Sequence, residues 1–220
     1  MTTAHSIAAI RRQMVEQQVR TWDVFDPRVL DVMQTVPRES FAPTAYDDVA
    51  YAETEIPLGH GQFMMNPVVE GRLLQALELQ ADDAVLEIGT GSGYLAACIA
   101  ELAGRVVSID CVAEFCERAT SVLEETGIDN VDVRHMDAMD SLPDERFDAI
   151  AVTGSIPRPD ERLLECLKSD GRMFVVVGEG PVMTAHMVRH AEDGGWSSEG
   201  LFETTLRPLT NVPETPPFRF

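Results

Sequence analysis

Apolar and polar residues follow two alternating patterns through the middle of the chain. Short apolar runs typical of buried strands alternate with segments in which apolar residues recur at helical spacing. The runs lie at residues 85–88, 106–109, 131–133, 147–153 and 173–177. The last of the helical segments is expected to run from Arg162 through Leu167 to a stop at Gly171. Strands that alternate with helices predict an α/β fold with a doubly wound, mostly parallel sheet.

The N-terminal part of the chain has helical patterns without these strand-like runs. Residues 5–20 place apolar side chains near helical spacing, which predicts a first amphipathic helix. Asp26-Pro27 and Asn66-Pro67 each combine a capping side chain with proline, the chemistry of a helix start. We therefore expect an N-terminal helical cap that lies over a ligand cleft.

The C-terminal part departs from the alternation in another way. Residues 182–190 and 200–210 predict two antiparallel strands around a turn at residues 193–195. We expect a single domain over residues 1–220. Its predicted parts are a helical cap with an active-site loop (1–80), an α/β core (81–210) and an extended tail (211–220).

The first apolar run ends in three alternating glycines, within the sequence VLEIGTGSGY at residues 85–94. A strand, a glycine turn and a helix in succession let a ligand lie directly on the backbone, and the helix N-terminus offers unpaired N–H groups. A dinucleotide-binding turn of the G-x-G-x-x-G type would need glycine or alanine at position 94, where this chain has Tyr94. The turn predicts a ligand site, and its spacing argues against a dinucleotide.

The spacing E-x-G-x-G-x-G, with Glu87 two residues before the first glycine, resembles the first motif of the class I S-adenosylmethionine-dependent methyltransferases. The resemblance implies S-adenosylmethionine as the cofactor, with Glu87 at its amino-acid end. It also implies that Asp110 accepts hydrogen bonds from both ribose hydroxyls and that Asp137 contacts the adenine. The cofactor-binding residues implied in this way are Glu87, Gly89, Gly91, Ser92, Gly93, Asp110, Asp137, Ala138 and Thr153.

These assignments have structural alternatives. The glycine turn could simply close a strand-helix unit, with Asp110 as the N-cap of the next helix. Asp137 could be a solvated turn residue. The coincidence of the three glycines with Glu87 and Asp110 favours the cofactor site.

Further motifs extend the resemblance to a particular family. They are MVEQQVR at residues 14–20, VPRESFAP at 36–43 and IPLGHGQ at 56–62, with similarity continuing at 87–93, 147–153 and 167–178. They look like successive signatures of the protein-L-isoaspartate O-methyltransferases, which methylate the abnormal carboxylate formed when Asp or Asn residues isomerise. The resemblance makes His60 and Gln62 candidate catalytic residues, and the alternative for His60 is an ordinary loop histidine.

The loop after Gln62 departs from the family pattern. The family has threonine and serine, regarded as active-site groups, where this chain has Phe63 and Met65. A buried carboxylate oxygen left without a donor costs on the order of 1–3 kcal/mol, so we expect weak or absent activity towards isoaspartyl peptides. The apolar triplet at residues 63–65 suits an uncharged acceptor better, or it is core packing under the loop.

Three functions remain open from the sequence. The first is an isoaspartyl repair enzyme that orients its carboxylate by other donors. The second is a methyltransferase that acts on another acceptor, such as a small molecule. The third is a cofactor-binding protein that does not catalyse and works through a partner.

The net charge narrows the range of partners. The chain has 37 acidic and 17 basic residues, a net charge of −20, and Lys168 is its only lysine. Such a field repels phosphate backbones and anionic membrane surfaces, so we expect neither nucleic acid nor membrane as a partner. An acidic, lysine-poor composition suggests a salt-adapted host, although a GC-rich genome would also replace lysine by arginine.

Cysteine usage and the chain ends bear on metal binding and location. The four cysteines lack the spacing of zinc sites or disulfide frameworks, so we expect no metal. The N-terminal residues do not resemble a signal peptide, and no apolar run reaches membrane-spanning length. We expect a cytoplasmic protein that is a monomer or a weak dimer.

Overall fold

The computed structural model describes residues 4–191 and 195–213 and is centred on a seven-stranded sheet. A separate hairpin consists of β1 (Ile56–Gly59) and β2 (Gln62–Met64). The large sheet consists of β3 (Ala84–Ile88), β4 (Arg105–Asp110), β5 (Val131–His135), β6 (Phe147–Ile156), β7 (Leu167–Glu179), β8 (Val182–His190) and β9 (Trp196–Thr204).

The strand order in the large sheet is β5-β4-β3-β6-β7-β8-β9. The pairs from β5 to β7 are parallel, whereas β8 is antiparallel to both β7 and β9. The order confirms the predicted α/β fold with a mostly parallel sheet and C-terminal antiparallel strands.

Seven α-helices are present among the described residues. They are α1 (Ala4–Met14), α2 (Pro27–Thr35), α3 (Arg38–Phe41), α4 (Pro67–Leu77), α5 (Tyr94–Ala100), α6 (Ala113–Thr126) and α7 (Glu161–Glu165). The predicted first helix, at residues 5–20, is not continuous α-helix, because a π-helical turn (Val15–Val19) and a 3-10 turn (Arg20–Trp22) follow α1. Another 3-10 segment, Thr44–Val49, leads from α3 towards the hairpin.

Side chains of β3 show how helices cover both faces of the sheet. The strand is buried along its whole length, and successive side chains point to opposite faces. Leu86 and Ile88 belong to a core cluster that includes buried residues of α7. Val85 belongs to the other cluster, which includes buried residues of α1, α2, α4, α5 and α6. The N-terminal helices therefore share one hydrophobic core with the sheet.

The starts of α2 and α4 are where the sequence predicts them. Asp26 Oδ1 accepts a hydrogen bond of 2.8 Å from the N–H of Arg28, and Asn66 Oδ1 accepts one of 3.0 Å from the N–H of Val68. Each capping residue is followed by proline, whose missing N–H would be unpaired at this position in any case. Both predicted helix starts are confirmed.

The helix predicted to extend through Leu167 to Gly171 is shorter. It ends at Glu165, because Leu167 pairs with Phe147 of β6 and begins β7. A non-local strand pairing therefore overrides the helical spacing of the local sequence. Strand β7 is correspondingly longer than the apolar run at residues 173–177.

The last strand also differs from the predicted one. Strand β9 begins at Trp196 and ends at Thr204, whereas the pattern predicted a strand over 200–210. The residues after β9 leave the sheet edge and bridge to the end of β6, where Pro208 pairs with Ser155. Of the predicted turn and tail, residues 192–194 and 214–220 lie outside the described residues.

The division into a cap, a core and a tail stays a prediction, and the core shared by α1, α2 and the sheet supports a single domain. Within residues 4–191 and 195–213, no helix has both the length and the apolar character needed to span a membrane.

Candidate active site

A cleft lies where β3, β4 and β6 end. Ligands of open α/β sheets bind at the carboxyl ends of the strands, which is where this cleft is placed. Its walls are the glycine turn, the end of β4, residues 136–139, the end of β6, hairpin residues 62–65, Glu70 of α4 and residues 208–210. The cleft therefore joins the α/β core to the hairpin and to the segment after β9.

Most of the residues selected from the sequence line this cleft. They are Gln62, Glu87, Gly89, Gly91, Ser92, Asp110, Asp137, Ala138 and Thr153. Gly93 and His60 do not line it. The structure thus brings together nine of the candidate residues and leaves two outside the wall.

The glycines of the turn have conformations and surroundings that disfavour side chains. Gly89, Gly91 and Gly93 have φ values of +98°, +52° and +84°. A Cβ at Gly89 would overlap the Oγ1 of Thr153, which donates hydrogen bonds to the carbonyl oxygens of Ile88 and Gly89 (2.9 and 2.8 Å). Glycine at position 89 therefore keeps this part of the cleft free of a side chain.

Gly93 has a packing role instead. It is the N-cap residue of α5, and a Cβ there would lie 2.9 Å from the Cβ of Ala119 on α6. The glycine lets α5 and α6 approach each other closely behind the cleft.

Glu87 is a fully buried carboxyl group with one unpaired oxygen. The Ser108 hydroxyl donates a hydrogen bond to Glu87 Oε2, and the hydroxyls of Ser108 and Thr90 are 2.6 Å apart. Among the residues that the structure describes, none forms a hydrogen bond with Glu87 Oε1. Burial raises the pKa of Glu87 to about 8, although the Ser108 bond opposes the shift. A buried acceptor without a donor indicates a place for a ligand's donor group.

Glu70 lies close to this group and forms a buried ion pair. Its Oε2 accepts from the guanidinium of Arg38, which also donates to the carbonyl oxygens of Ala50 (2.8 Å) and Met65 (2.6 Å). The Arg38 guanidinium lies 4.7 Å from the ring centroid of Tyr94. Burial raises the pKa of Glu70 to about 7 in spite of Arg38. Through Arg38, the VPRESFAP motif holds the segment that directly follows β2 against α4 and α5.

Asp110 ends β4 and faces the glycine turn. Its Oδ2 accepts a hydrogen bond from the N–H of Gly91, and its Oδ1 accepts one from the N–H of Val112, both at 2.9 Å. Burial raises the pKa of Asp110, although these backbone bonds oppose the rise. The N-cap of α6 is Val112, so Asp110 is not the capping residue. Its carboxylate is held in a fixed orientation at the cleft wall.

Asp137 connects two parts of the cleft wall. Its Oδ1 accepts from the N–H of Met139 at 2.8 Å, as in a turn, and its Oδ2 accepts from the side-chain amide of Asn211 at 2.6 Å. The side chain is thus both a turn residue and a link to the segment after β9.

The two candidate catalytic residues occupy different positions. Gln62 lines the cleft and donates a hydrogen bond to Thr210 Oγ1 at 3.3 Å. His60 is half exposed, and its Nε2 lies 3.0 Å from Glu114 Oε2. Its ring contacts Phe115 edge-on, with 5.5 Å between the ring centroids. Phe115 itself lines the cleft, so His60 contacts a wall residue without being part of the wall.

The apolar triplet serves both of the roles considered for it. Phe63, Met64 and Met65 all line the cleft. Met64 and Met65 are also buried and belong to the core cluster. The triplet is therefore a packed apolar wall in place of a hydroxyl-bearing loop.

Sequence reasoning missed two parts of the wall. Glu70 is a charged residue on the same helical stripe as Leu73, Leu74 and Leu77, and this position could have identified it as a buried acid. The segment at residues 208–210 has no comparable signal, because its place depends on the bridge between Ser155 and Pro208.

The sheet order, the glycine turn and the carboxylates of β3 and β4 define a class I methyltransferase. The family model described as Protein-L-isoaspartate(D-aspartate) O-methyltransferase (PCMT) matches residues 9–213. The chain belongs to this family, and it is an S-adenosylmethionine-dependent methyltransferase. The family resemblance and the cofactor predicted from the sequence are confirmed.

Individual relatives match over most of the chain. The protein-L-isoaspartate O-methyltransferase 1 of Rhodopseudomonas palustris (strain HaA2) is 40% identical over 176 residues, 80% of this chain and 72% of that protein. The protein-L-isoaspartate O-methyltransferase of Methanoregula boonei is 38% identical over 210 residues, 95% of this chain and 96% of that protein.

A solved structure supports the fold. It is described as a protein-L-isoaspartate O-methyltransferase from Plasmodium falciparum in complex with S-adenosyl-L-homocysteine. It matches with a TM-score of 0.78 and 20% identity, and covers 91% of this chain and 98% of that chain.

Proposed function

We propose that the protein transfers a methyl group from S-adenosylmethionine to the side-chain carboxylate of an isoaspartyl residue in a peptide. The observation that carries the proposal is that one cleft joins a buried carboxylate with an unpaired oxygen, Glu87, to the loop that follows Gln62. Curated relatives named for this activity match over residues of both regions.

The chain's own residues fit the cofactor. Arg38 contributes one positive charge to the buried group that it forms with Glu70 and Glu87. When both acids are ionised, this group has one more negative charge than it has positive charges. The α-ammonium group of the cofactor has the required charge and could donate to Glu87 Oε1. Asp110 would accept from the ribose hydroxyls and Asp137 from the adenine amino group. The remaining contacts would come from Gly89, Gly91, Ser92, Ala138 and Thr153 in the cleft wall.

The reaction needs positioning rather than proton transfer. The cofactor supplies a methyl carbon on a cationic sulfur, to which the electron pair of the broken S–C bond returns. A carboxylate with a pKa of about 4 is already ionised at neutral pH, so it attacks without a general base. The cleft must therefore hold the carboxylate oxygen in line with the methyl group and exclude water. Gln62 has a side-chain amide that can donate to the acceptor.

A second candidate is methyl transfer to an uncharged or apolar acceptor. The apolar wall of Phe63, Met64 and Met65 favours it, because none of these side chains donates a hydrogen bond.

The net charge of −20 supports the exclusion of nucleic acid and of anionic membranes as partners. A cytoplasmic location and a monomer or weak dimer stay predictions.

The proposal is tested by methyl transfer from labelled cofactor to a synthetic peptide with one L-isoaspartyl residue. We expect label in this peptide and none in the same peptide with ordinary aspartate. Absence of transfer, in a protein that binds S-adenosylhomocysteine by calorimetry, would reject the proposal in favour of another acceptor or a non-catalytic role.

Restoring a loop hydroxyl should increase this activity. We expect Met65→Ser, alone or together with Phe63→Thr, to raise kcat/KM for the isoaspartyl peptide, by about tenfold for the single change, the size of one charge-assisted hydrogen bond. Met64→Ser is the matched control, because it makes the same chemical change one residue away from the family's serine position. Equal effects of the two serines would show that the hydroxyl position does not matter.

A further inference from the structure

Arg207 lies over the ring of Phe63, the residue that replaces the family's threonine. Its guanidinium carbon is 4.6 Å from the ring centroid. Phe63 lines the cleft, as do Pro208, Leu209 and Thr210, which directly follow Arg207. The guanidinium is therefore at the rim of the cleft, beside residues 63–65, which we call the acceptor loop.

The backbone around Arg207 is held firmly. The N–H of Ser155 donates to the carbonyl oxygen of Arg207 at 2.8 Å, and the N–H of Leu209 donates to the carbonyl oxygen of Ser155 at 3.0 Å. The Ser155 hydroxyl also donates to the carbonyl oxygen of Leu206, at 3.0 Å. These bonds tie the segment to the end of β6, so the guanidinium projects from a fixed backbone.

The charge around the cleft makes this position unusual. Glu70, Glu87, Asp110 and Asp137 line the wall, and none of the described lining residues is lysine, arginine or histidine. Arg207 is exposed, and within the described residues its guanidinium makes no hydrogen bond or ion pair. In a chain with 37 acidic residues, most arginines have an acidic partner within reach, whereas this one is held by an aromatic face.

Stacking leaves the guanidinium able to bind an anion. A guanidinium that stacks on an aromatic ring keeps its N–H edges free to donate hydrogen bonds. Those edges match the two oxygens of a carboxylate, which they can hold by paired hydrogen bonds. Such a bond is stronger than one from a neutral hydroxyl of the kind that this loop lacks.

We propose that Arg207, supported by the ring of Phe63, is the group that binds the acceptor's carboxylate in this chain. The pair replaces the hydroxyls of the family loop by a stacked cation at the cleft rim. It also provides the local positive charge that an anionic peptide needs to approach an acidic protein. The inference rests on the proposed isoaspartyl acceptor.

The test compares two peptides that differ only in the charge of the acceptor group. The probes are the synthetic L-isoaspartyl peptide and its isoasparagine analogue, which has a carboxamide in place of the carboxylate. Calorimetry with the S-adenosylhomocysteine-loaded protein gives the affinity for each peptide, and initial rates give KM and kcat for the first. The variants are Arg207→Gln, Arg207→Lys and Phe63→Leu. Arg12→Gln is the control, because it removes an exposed arginine from α1, which contributes nothing to the cleft wall.

We expect Arg207→Gln to raise KM and weaken binding of the isoaspartyl peptide by about tenfold or more, with little change in kcat. Binding of the carboxamide peptide and of S-adenosylhomocysteine should be unchanged. Arg207→Lys should keep part of the affinity, since it preserves the charge but loses the planar fork. Phe63→Leu should have a smaller effect of the same kind, and Phe63→Thr with Met65→Ser should gain less than Met65→Ser alone.

Two results would overturn the inference while the proposed function stands. One is isoaspartyl turnover with the same KM in the wild type and in Arg207→Gln. The other is an equal loss for the carboxylate and carboxamide peptides, which would indicate a structural role for Arg207. A wild-type protein that neither binds nor methylates the isoaspartyl peptide would reject the proposed function, and the inference with it.

Discussion

Glu87 combines a stability cost with a proposed binding role in a single side chain. Its carboxyl group is fully buried, only one of its oxygens is hydrogen-bonded, and its pKa is raised to about 8 from 4.5. A raised pKa means that the folded protein holds a proton that the unfolded chain releases between those two pH values. The free energy of unfolding therefore falls as the pH rises through that window. Glu70 contributes in the same direction.

Replacing Glu87 by glutamine should separate the two effects. At about pH 8 the Glu87→Gln variant should melt at a higher temperature than the wild type, and the difference should shrink as the pH falls and nearly vanish at about pH 4, where Glu87 is protonated in both the folded and the unfolded chain. The stabilisation is on the order of a few kcal/mol. The same change should lower the affinity for S-adenosylhomocysteine at least about tenfold, since the ammonium loses a charged acceptor. Melting curves and calorimetry measure these two quantities.

Glu101→Gln is the control for this prediction. Glu101 is an exposed carboxylate just beyond α5, so its replacement should change neither the pH dependence nor the affinity. A Glu87→Gln protein that is less stable than the wild type at both pH values would show that the buried carboxylate is already compensated in the free protein.

At the scale of elements, Arg38 connects parts that are distant in sequence. From α3 it reaches Glu70 on α4, the carbonyl oxygen of Met65 directly after β2 and the ring of Tyr94 on α5. Breaking a buried ion pair leaves a charge without compensation and typically costs about 3–5 kcal/mol. The acceptor loop is therefore positioned by a group that does not itself line the cleft.

Removing this connection should destabilise the protein strongly. We expect Arg38→Met to lower the free energy of unfolding by about 3–5 kcal/mol, measured by urea denaturation. Arg20→Met is the matched control. It breaks the exposed pair with Glu16 on the surface and should cost less than about 1 kcal/mol. Similar losses for the two variants would contradict the structural role of Arg38. Adding Glu70→Leu to Arg38→Met should restore part of the stability.

The accuracy of the sequence predictions follows the range of the interactions that decide each element. The starts of α2 and α4 could be predicted, because Asp26 and Asn66 act on residues two positions away. The glycine turn could be located for the same reason, since its motif is contiguous, and Asp110 could be located because it directly follows the apolar run at residues 106–109. The end of α7 could not, because Leu167 is drawn into pairing with Phe147. The Arg207 contact with Phe63 was equally inaccessible, since it joins residues far apart in the chain.

At the scale of the whole molecule, a net charge of −20 makes self-repulsion an unfavourable term for folding. Salt screens this repulsion, because the Debye length falls from about 30 Å at 0.01 M to about 3 Å at 1 M. We expect the melting temperature to rise with added potassium chloride up to molar concentrations. Sorbitol at matched osmolality is the control. A flat or falling curve would reject salt adaptation as the reason for the acidic surface.

The four carboxylates in the cleft wall also bear on turnover. Before transfer, the cofactor's sulfur is cationic, and afterwards it is a neutral thioether. The wall formed by Glu70, Glu87, Asp110 and Asp137 attracts a positive charge and has no such attraction for the neutral sulfur. Each methyl transfer would thus remove part of the attraction between this wall and the bound nucleoside, which would favour exchange of the spent molecule for a fresh one.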